Sequence, residues 1–170
     1  MQYAFDGIEP AVHPEAYVCS EATLVGDVTV GAGSSVWPGA VLRGDSGPVT
    51  VGERSHVEDT CVLHHSAVGD EVMVGHGAVV NAATVEDRVL VGMNSTTNRD
   101  VHVGSRCVIA PNAVIPQGRE IPPESIVRGV PAEVVPLAET DHDVEELLGR
   151  YSPTYYTEMA ARHTDLFGDG

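Results

Sequence analysis

The chain has 170 residues and an acidic composition, with nine arginines, no lysine and 25 aspartate and glutamate residues. The formal net charge of −16 makes nucleic-acid phosphates and anionic lipid surfaces poor partners, because they carry charge of the same sign. Hydrophobic residues make up 42% of the chain, which excludes a disordered protein, and the length suits one domain. Acidity without lysine predicts a halophilic protein, and an ordinary acidic protein is the alternative.

The cysteines and the first residues bear on where the protein is located in the cell, and they indicate no catalytic or metal-binding role. Cys19, Cys61 and Cys107 are odd in number and form no C-x-x-C pair, so they favour packing roles over disulfides or a thiolate zinc site. The N-terminus lacks the pattern of a signal peptide, and no apolar run reaches the roughly 18 residues of a membrane span. We therefore expect a soluble, cytoplasmic protein.

Aliphatic residues recur every six positions along most of the chain. The repeat runs through Val30, Val36 and Leu42, then Val51, Val57 and Leu63, then Val68, Val74 and Val80, then Val85, Val91, Thr97, Val103, Ile109, Ile115, Ile121 and Val127. A period of six fits neither an α-helix nor a simple alternating strand. Glycine often follows the aliphatic residue, and the pattern predicts an all-β solenoid of short strands over residues 1–136. Chance spacing of valines in a β-sandwich is the alternative.

The pattern changes after Pro136. Residues 141–150 have the apolar spacing of a short amphipathic helix, and Tyr155 to His163 follow at helical spacing as well. We therefore predict a C-terminal helical segment over residues 137–170. It would pack on the solenoid or on a neighbouring subunit, covering a face and its exposed sheet edge.

Three polar residues occupy informative positions on this frame. His64 and Asn81 each follow a repeat aliphatic directly and lie 17 residues apart, which is one coil, so they should project from one face about 4.8 Å apart. His76 comes two places after Val74 and belongs to a neighbouring face. An ion shared by all three therefore needs two chains. Such a heterologous interface closes under a threefold rotation, so a metal site here predicts a homotrimer.

Three segments resemble the γ-class carbonic anhydrases, which are hexapeptide-repeat proteins. The matching stretches are VWPGAVLRGD at 36–45, VEDTCVLH at 57–64 and VGHGA at 74–78. The resemblance implies a left-handed parallel β-helix, a homotrimer, and a zinc, iron(II) or cobalt ion bound between subunits by three histidines. It also implies hydration of carbon dioxide to bicarbonate.

Two of the family's metal ligands map onto His64 and His76, and the third maps onto Asn81, where this chain has asparagine. An amide oxygen is a weaker zinc ligand than imidazole, which predicts reduced affinity and modest activity. His65 or Glu58 could compensate. Glu58 stands where the family usually has glutamine. His56 stands where it usually has asparagine.

The resemblance also assigns catalytic roles. Arg43 and Asp45 would form an ion pair that fixes the interface, Glu58 or Asp59 would orient the attacking water, and Tyr156 matches a tyrosine that reaches the site. Each assignment has a simpler alternative: a plain interface ion pair, an acidic surface, or surface histidines at the metal positions. The loop that carries a proton-shuttle glutamate in the family is missing, which again predicts modest turnover.

Two other functions stay open. The chain could be a trimeric scaffold of the same family with little or no activity, an interpretation that the asparagine at the third ligand position supports. It could also be a hexapeptide acyltransferase that uses a coenzyme A thioester. Such enzymes usually place a catalytic histidine in a longer loop or an added domain, whereas the only excursion predicted here is a short turn over Asp45–Thr50.

Overall fold

A computed structural model describes residues 1–149 and 153–167. The chain winds into a parallel β-solenoid of about seven turns, followed by helices. The solenoid predicted from the six-residue repeat is therefore confirmed. The last residue of the helix predicted at 141–150 and the end of the 137–170 segment lie outside the described residues.

The first turns contain two long strands. The elements are β1 (Gln2–Tyr3), β2 (Ala11–Val12), β3 (Tyr17–Val18), β4 (Thr23–Val30), β5 (Ser35–Val36), β6 (Val41–Val51), β7 (His56–Val57), β8 (Val62–His64), β9 (Ala67–Val68) and β10 (Met73–Val74). The later turns contain β11 (Val79–Asn81), β12 (Thr84–Val85), β13 (Leu90–Val91), β14 (Thr96–Thr97), β15 (His102–Val103), β16 (Val108–Ile109), β17 (Val114–Ile115), β18 (Glu120–Ile121), β19 (Ser125–Arg128) and β20 (Glu133–Pro136). A 3-10 turn (Leu137–Glu139) and helices α1 (Val144–Gly149) and α2 (Pro153–Phe167) end the chain.

Three faces are built from these strands. One face stacks β3, β5, β7, β10, β13, β16 and β19 in parallel. The other two share β6, whose first half pairs with β8 and whose second half pairs with β9. Strand β6 runs through the short turn predicted over Asp45–Thr50, but residues 45–48 have no partner on β4, so the predicted turn is a bulge within one strand. β4 pairs with β6 on either side of this bulge, up to Gly44 and again from Val49.

The repeat residues fill the interior in stacked columns. One column joins Leu24, Leu42, Leu63, Val80, Thr97 and Ile115 in register, and all six are fully buried. Because every coil contributes one layer of such side chains, truncating one of these leucines to alanine should cost about 2–5 kcal/mol. The core therefore holds the outward-facing positions in fixed register.

The glycines that follow repeat aliphatics are required by close contact between coils. A Cβ on Gly31 would lie 2.7 Å from the backbone of Gly52, and one on Gly92 would lie 2.5 Å from the Ile109 carbonyl oxygen. No real Cβ approaches a backbone so closely. These glycines thus allow successive turns to stack at strand spacing.

The helices cover part of the solenoid surface. Helix α2 packs on β3 and β5, while α1 is held by Glu145, whose carboxylate lies 2.8 Å from Arg88 and 2.7 Å from Arg106. The edge at β19 is covered by β20, which pairs with it antiparallel, while α2 contacts β3, the strand at the other end of the same sheet. The three cysteines are buried and free. None of the helices among the described residues is long and apolar enough to cross a membrane.

Candidate metal centre

Strand register stacks the first half of the candidate site. Arg43, His64 and Asn81 occupy equivalent positions on β6, β8 and β11. The His64 Nδ1 atom lies 3.2 Å from Asn81 Oδ1. The two predicted ligands from this face are therefore neighbours, as the coil length required.

Polar groups of the same chain already surround His64. An amide oxygen only accepts hydrogen bonds, so the His64 Nδ1–H donates to Asn81 Oδ1. The Ser46 hydroxyl lies 2.8 Å from His64 Nε2 and donates to its lone pair in the neutral ring. Asp45 Oδ1 lies 3.2 Å from the same nitrogen. A metal ion at His64 would therefore bind through Nε2 in place of the Ser46 proton.

Arg43 balances the charge beside this histidine. Its Nη1 lies 2.6 Å from Asp45 Oδ2, and this hydrogen bond is the main reason that the pKa of Asp45 lies below its usual value. The predicted pair therefore exists within one chain. Arg43 is half-exposed, so the pair alone contributes little to stability.

The second half of the site is built around His76. Its Nε2 lies 2.6 Å from Glu58 Oε2, and its Nδ1 lies 3.0 Å from Asp59 Oδ2. The donor atoms of these three residues all fall within 4.8 Å of one another. Among the described residues they form the one cluster of three or more histidine, cysteine or carboxylate side chains that could hold an ion. His64 does not join it.

Glu58 is a buried carboxylate without enough donors. Its side chain is only 6% exposed, so the alternative that placed it on the acidic surface is wrong, whereas Asp59 is 45% exposed. Among the described residues, Glu58 Oε1 has no hydrogen-bond partner. Burial raises the pKa of Glu58, while the charge of His76 and a hydrogen bond from Tyr156 oppose that shift. A cation beside Glu58 would relieve this uncompensated burial.

The donor chemistry fits a divalent transition metal. Imidazole nitrogen and carboxylate oxygen are both zinc ligands. Asp59 on Nδ1 of His76 is the arrangement by which a carboxylate orients a metal-binding histidine, leaving Nε2 to face the ion together with Glu58. The exposed His65 comes directly after β8, and its ring lies over Gly47.

Helix α2 completes the His76 half with Tyr156. The Tyr156 ring stacks on His56 with centroids 5.2 Å apart and an interplanar angle of 27°. Sequence reasoning assigned no role to Ser35, whose hydroxyl lies 2.8 Å from His56 Nδ1. The available signal was that Ser35 and His56 are polar residues at the same repeat position, one coil apart.

A small apolar cavity adjoins these groups. It has a volume of about 100 Å³ and is lined by Glu58, His76 and Tyr156 together with apolar residues of the next turns, among them Met73, Leu90, Met93 and Val108. The cluster therefore faces apolar space on one side.

Comparison with known proteins places the chain in a family. Residues 82–117 match the model of the bacterial transferase hexapeptide (six repeats). The chain is 46% identical to a probable carbonic anhydrase of Methanocaldococcus jannaschii, over 69% of this chain and 77% of that one. It is 33% identical to the carnitine operon protein CaiE of Escherichia coli, over 96% of this chain and 90% of that one. The chain belongs to the hexapeptide-repeat proteins and, among them, to the family of the γ carbonic anhydrases and CaiE.

Two further similarities bear on activity. Gamma carbonic anhydrase 1 of Arabidopsis thaliana is 34% identical over 91% of this chain, which spans 59% of that mitochondrial protein. A putative acetyltransferase of Bacillus cereus shares the fold with a TM-score of 0.90, 30% identity and 98% coverage of both chains. The relatives thus support a carbonic anhydrase-like protein, and their names differ enough that the activity must be argued from the site.

Proposed function

We propose that this protein is a metal-dependent carbonic anhydrase that reversibly hydrates carbon dioxide to bicarbonate at the interfaces of a homotrimer. The observation that carries the proposal is the cluster of His76 with Glu58 and Asp59, in which a buried carboxylate oxygen lacks a donor. The similarity to proteins named as carbonic anhydrases supports the same conclusion.

The proposed metal ligands come from two chains. His76 would bind with Glu58 beside it, and His64 of the next subunit would complete the site through Nε2. We assign Asn81 first to holding the His64 ring, because its oxygen accepts the Nδ1 proton, with its second lone pair left for the ion. A bound zinc, iron(II) or cobalt ion supplies water of lowered pKa, near about 7 for zinc.

The remaining residues would bind carbon dioxide and orient the attacking water. The apolar cavity beside Glu58 suits a small uncharged molecule such as carbon dioxide. Its volume of about 100 Å³ is well below the roughly 300 Å³ at which drug-sized ligand pockets begin. Glu58 or Asp59 accepts a hydrogen bond from the attacking water and Tyr156 holds Glu58, while Arg43 and Asp45 fix the interface. With no shuttle loop between His65 and Val68, protons leave to buffer and turnover is modest.

A hydration assay in concentrated salt tests the proposal. Purified protein loaded with zinc, cobalt or anaerobic iron(II) should accelerate the acidification of a carbon dioxide solution in stopped flow. A chelator should remove the activity, and His76→Gln should abolish it. His102→Gln, a matched histidine on β15 that pairs with Glu86, should leave it unchanged.

Two results would overturn the proposal in favour of the alternatives. A purified trimer without bound metal and without hydratase activity under all three metals would indicate a scaffold. Acyl transfer from acetyl-coenzyme A that is insensitive to chelators would indicate an acyltransferase, the class after which the structurally similar Bacillus cereus protein is named.

A further inference from the structure

The outward side chains of the face beneath α2 change from polar to apolar along the solenoid. Its outward positions align in register from coil to coil as Tyr17, Ser35, His56, Met73, Leu90 and Val108. From Met73 onward the column is apolar, as a covered surface should be. Ser35 and His56 are polar, yet they are 0% and 1% exposed. Two buried polar side chains in an apolar column call for a specific role.

A short hydrogen-bond chain fixes the His56 ring. Trp37 Nε1, which can only donate, lies 2.7 Å from Ser35 Oγ. Among the described residues, the other partner of this hydroxyl is His56 Nδ1 at 2.8 Å, so the Ser35 proton is donated to that nitrogen. His56 is then the tautomer with its proton on Nε2, and its ring plane is set by the strand below.

Tyr156 rests on this fixed ring. It stacks on His56, and it meets the edge of Trp37 with centroids 6.4 Å apart at 79°. Two aromatic surfaces at a steep angle to one another leave the phenol little freedom to rotate or slide. Its hydroxyl bonds to Glu58, and both residues line the cavity beside His76.

We propose that Ser35 and His56 are positioning residues that hold Tyr156 against Glu58, so that the C-terminal helix becomes part of the active site. Neither residue touches the reacting atoms, and both act through the Tyr156 hydroxyl. The inference rests on the proposed hydratase function for its kinetic consequence. The placement of Tyr156 by His56 can be tested without it.

A double-mutant cycle tests the kinetic part. Ser35→Ala should lower kcat for carbon dioxide hydration by about tenfold, the lower end of what loss of a supporting group costs, and Ser35→Thr should restore it by returning the hydroxyl. In a Tyr156→Phe background, which keeps the ring stack, Ser35→Ala should have no further effect. Independent, multiplying effects of the two substitutions would overturn the proposal, because Ser35 would then act elsewhere.

Fluorescence tests the placement without any activity. Trp37 is the only tryptophan of the chain, is 5% exposed and contacts Tyr156. His56→Asn keeps a polar partner for Ser35 but removes the stacking surface. It should shift the Trp37 emission to the red and raise its quenching by acrylamide, whereas the matched His102→Asn should change neither. His56→Phe, which keeps a ring, should retain the wild-type emission.

The two parts separate failure of the inference from failure of the proposed function. A wild-type protein without hydratase activity under any metal would end the proposed function and leave the fluorescence test standing. Wild-type emission and quenching in His56→Asn would overturn the placement of Tyr156 whatever the activity. If His56→Asn does not fold, Tyr156→Leu gives the same measurement from the helix side, and unchanged emission there would equally overturn it.

Discussion

The two histidines of the candidate centre differ in the charge of their surroundings. His76 has a carboxylate within 3.0 Å of each ring nitrogen, and the one on Glu58 is nearly buried. His64 contacts an amide and a hydroxyl, and its neighbouring Asp45 is already paired with Arg43. The His76 half therefore carries uncompensated negative charge, whereas the His64 half is close to neutral. A cation should be drawn first to His76, and His64 should complete the site.

Removing either histidine is the strongest test of this comparison. If the ion is shared between chains, His76→Ala and His64→Ala should each weaken metal binding by about 100-fold or more, since each removes a ligand from a small set. Metal content of the purified variants, measured by mass spectrometry, checks this, with His102→Ala as the control. Full metal content in His64→Ala would show instead that the His76 cluster binds the ion within one chain.

Neutralising Glu58 should weaken metal binding more than neutralising Asp59. Glu58→Gln keeps the shape of the side chain but removes the buried charge, and we expect metal affinity to fall by about 10–100-fold. Titration with cobalt, followed by its absorption bands, measures the change. Asp59→Asn should lower metal affinity less, because Asp59 is half-exposed. Equal losses in both variants would mean that burial of Glu58 is irrelevant to binding.

A substitution at Asn81 should strengthen metal binding rather than weaken it. Asn81→His would replace an amide oxygen with an imidazole nitrogen at the position of the family's third ligand, so metal affinity should rise by about tenfold. Asn98→His places the same change one coil further along, where Asn98 bonds to the Ile115 carbonyl, and serves as the control. Weaker binding in Asn81→His would show that holding the His64 ring outweighs ligation.

The charge of Glu58 should favour metal binding but destabilise the folded protein when no metal is bound. Burial raises the pKa of Glu58 above 4.5, so the folded state holds this proton more tightly than the unfolded state. The contribution of Glu58 to stability is therefore greatest below about pH 4.5 and is lost as the pH rises through the raised pKa. Thermal unfolding of metal-free Glu58→Gln should show a Tm above that of wild type by a few degrees at pH 7 and an equal Tm near pH 4. A Tm difference independent of pH would contradict this account.

The sequence specified the solenoid well because its signal is periodic and local. Each repeat aliphatic occupies one interior layer, so the count from Val30 to Val127 predicted which residues face inward. The stacking of His64 with Asn81 followed from the same count. The extent of β6 could not be predicted, because the repeat marks only the paired positions on either side, and residues 45–48 bulge out without a partner on β4.

Candidate ligands could be chosen from the sequence, but their surroundings could not be predicted. Glu58 directly follows a repeat aliphatic and Asp59 comes one place later, but this register does not tell which of the two acids is buried. In the structure Glu58 lines a cavity together with Tyr156 of α2. Likewise, Ser35 and His56 fall at ordinary outward positions, and their role depends on a helix about a hundred residues further along the chain. Contacts between the solenoid and α2 join residues far apart in the chain, so no local sequence pattern predicts them.

Ionic strength gives the smallest and most general test of a site divided between chains. Each chain carries a net charge of −16, so a compact trimer repels itself unless salt screens it. The screening length shortens from about 10 Å at 0.1 M salt to about 3 Å at 1 M. We therefore expect light scattering to show a looser trimer in dilute salt and cobalt affinity to fall severalfold with it. A cluster confined to one chain predicts the reverse, because dilute salt strengthens the attraction of a cation to Glu58 and Asp59.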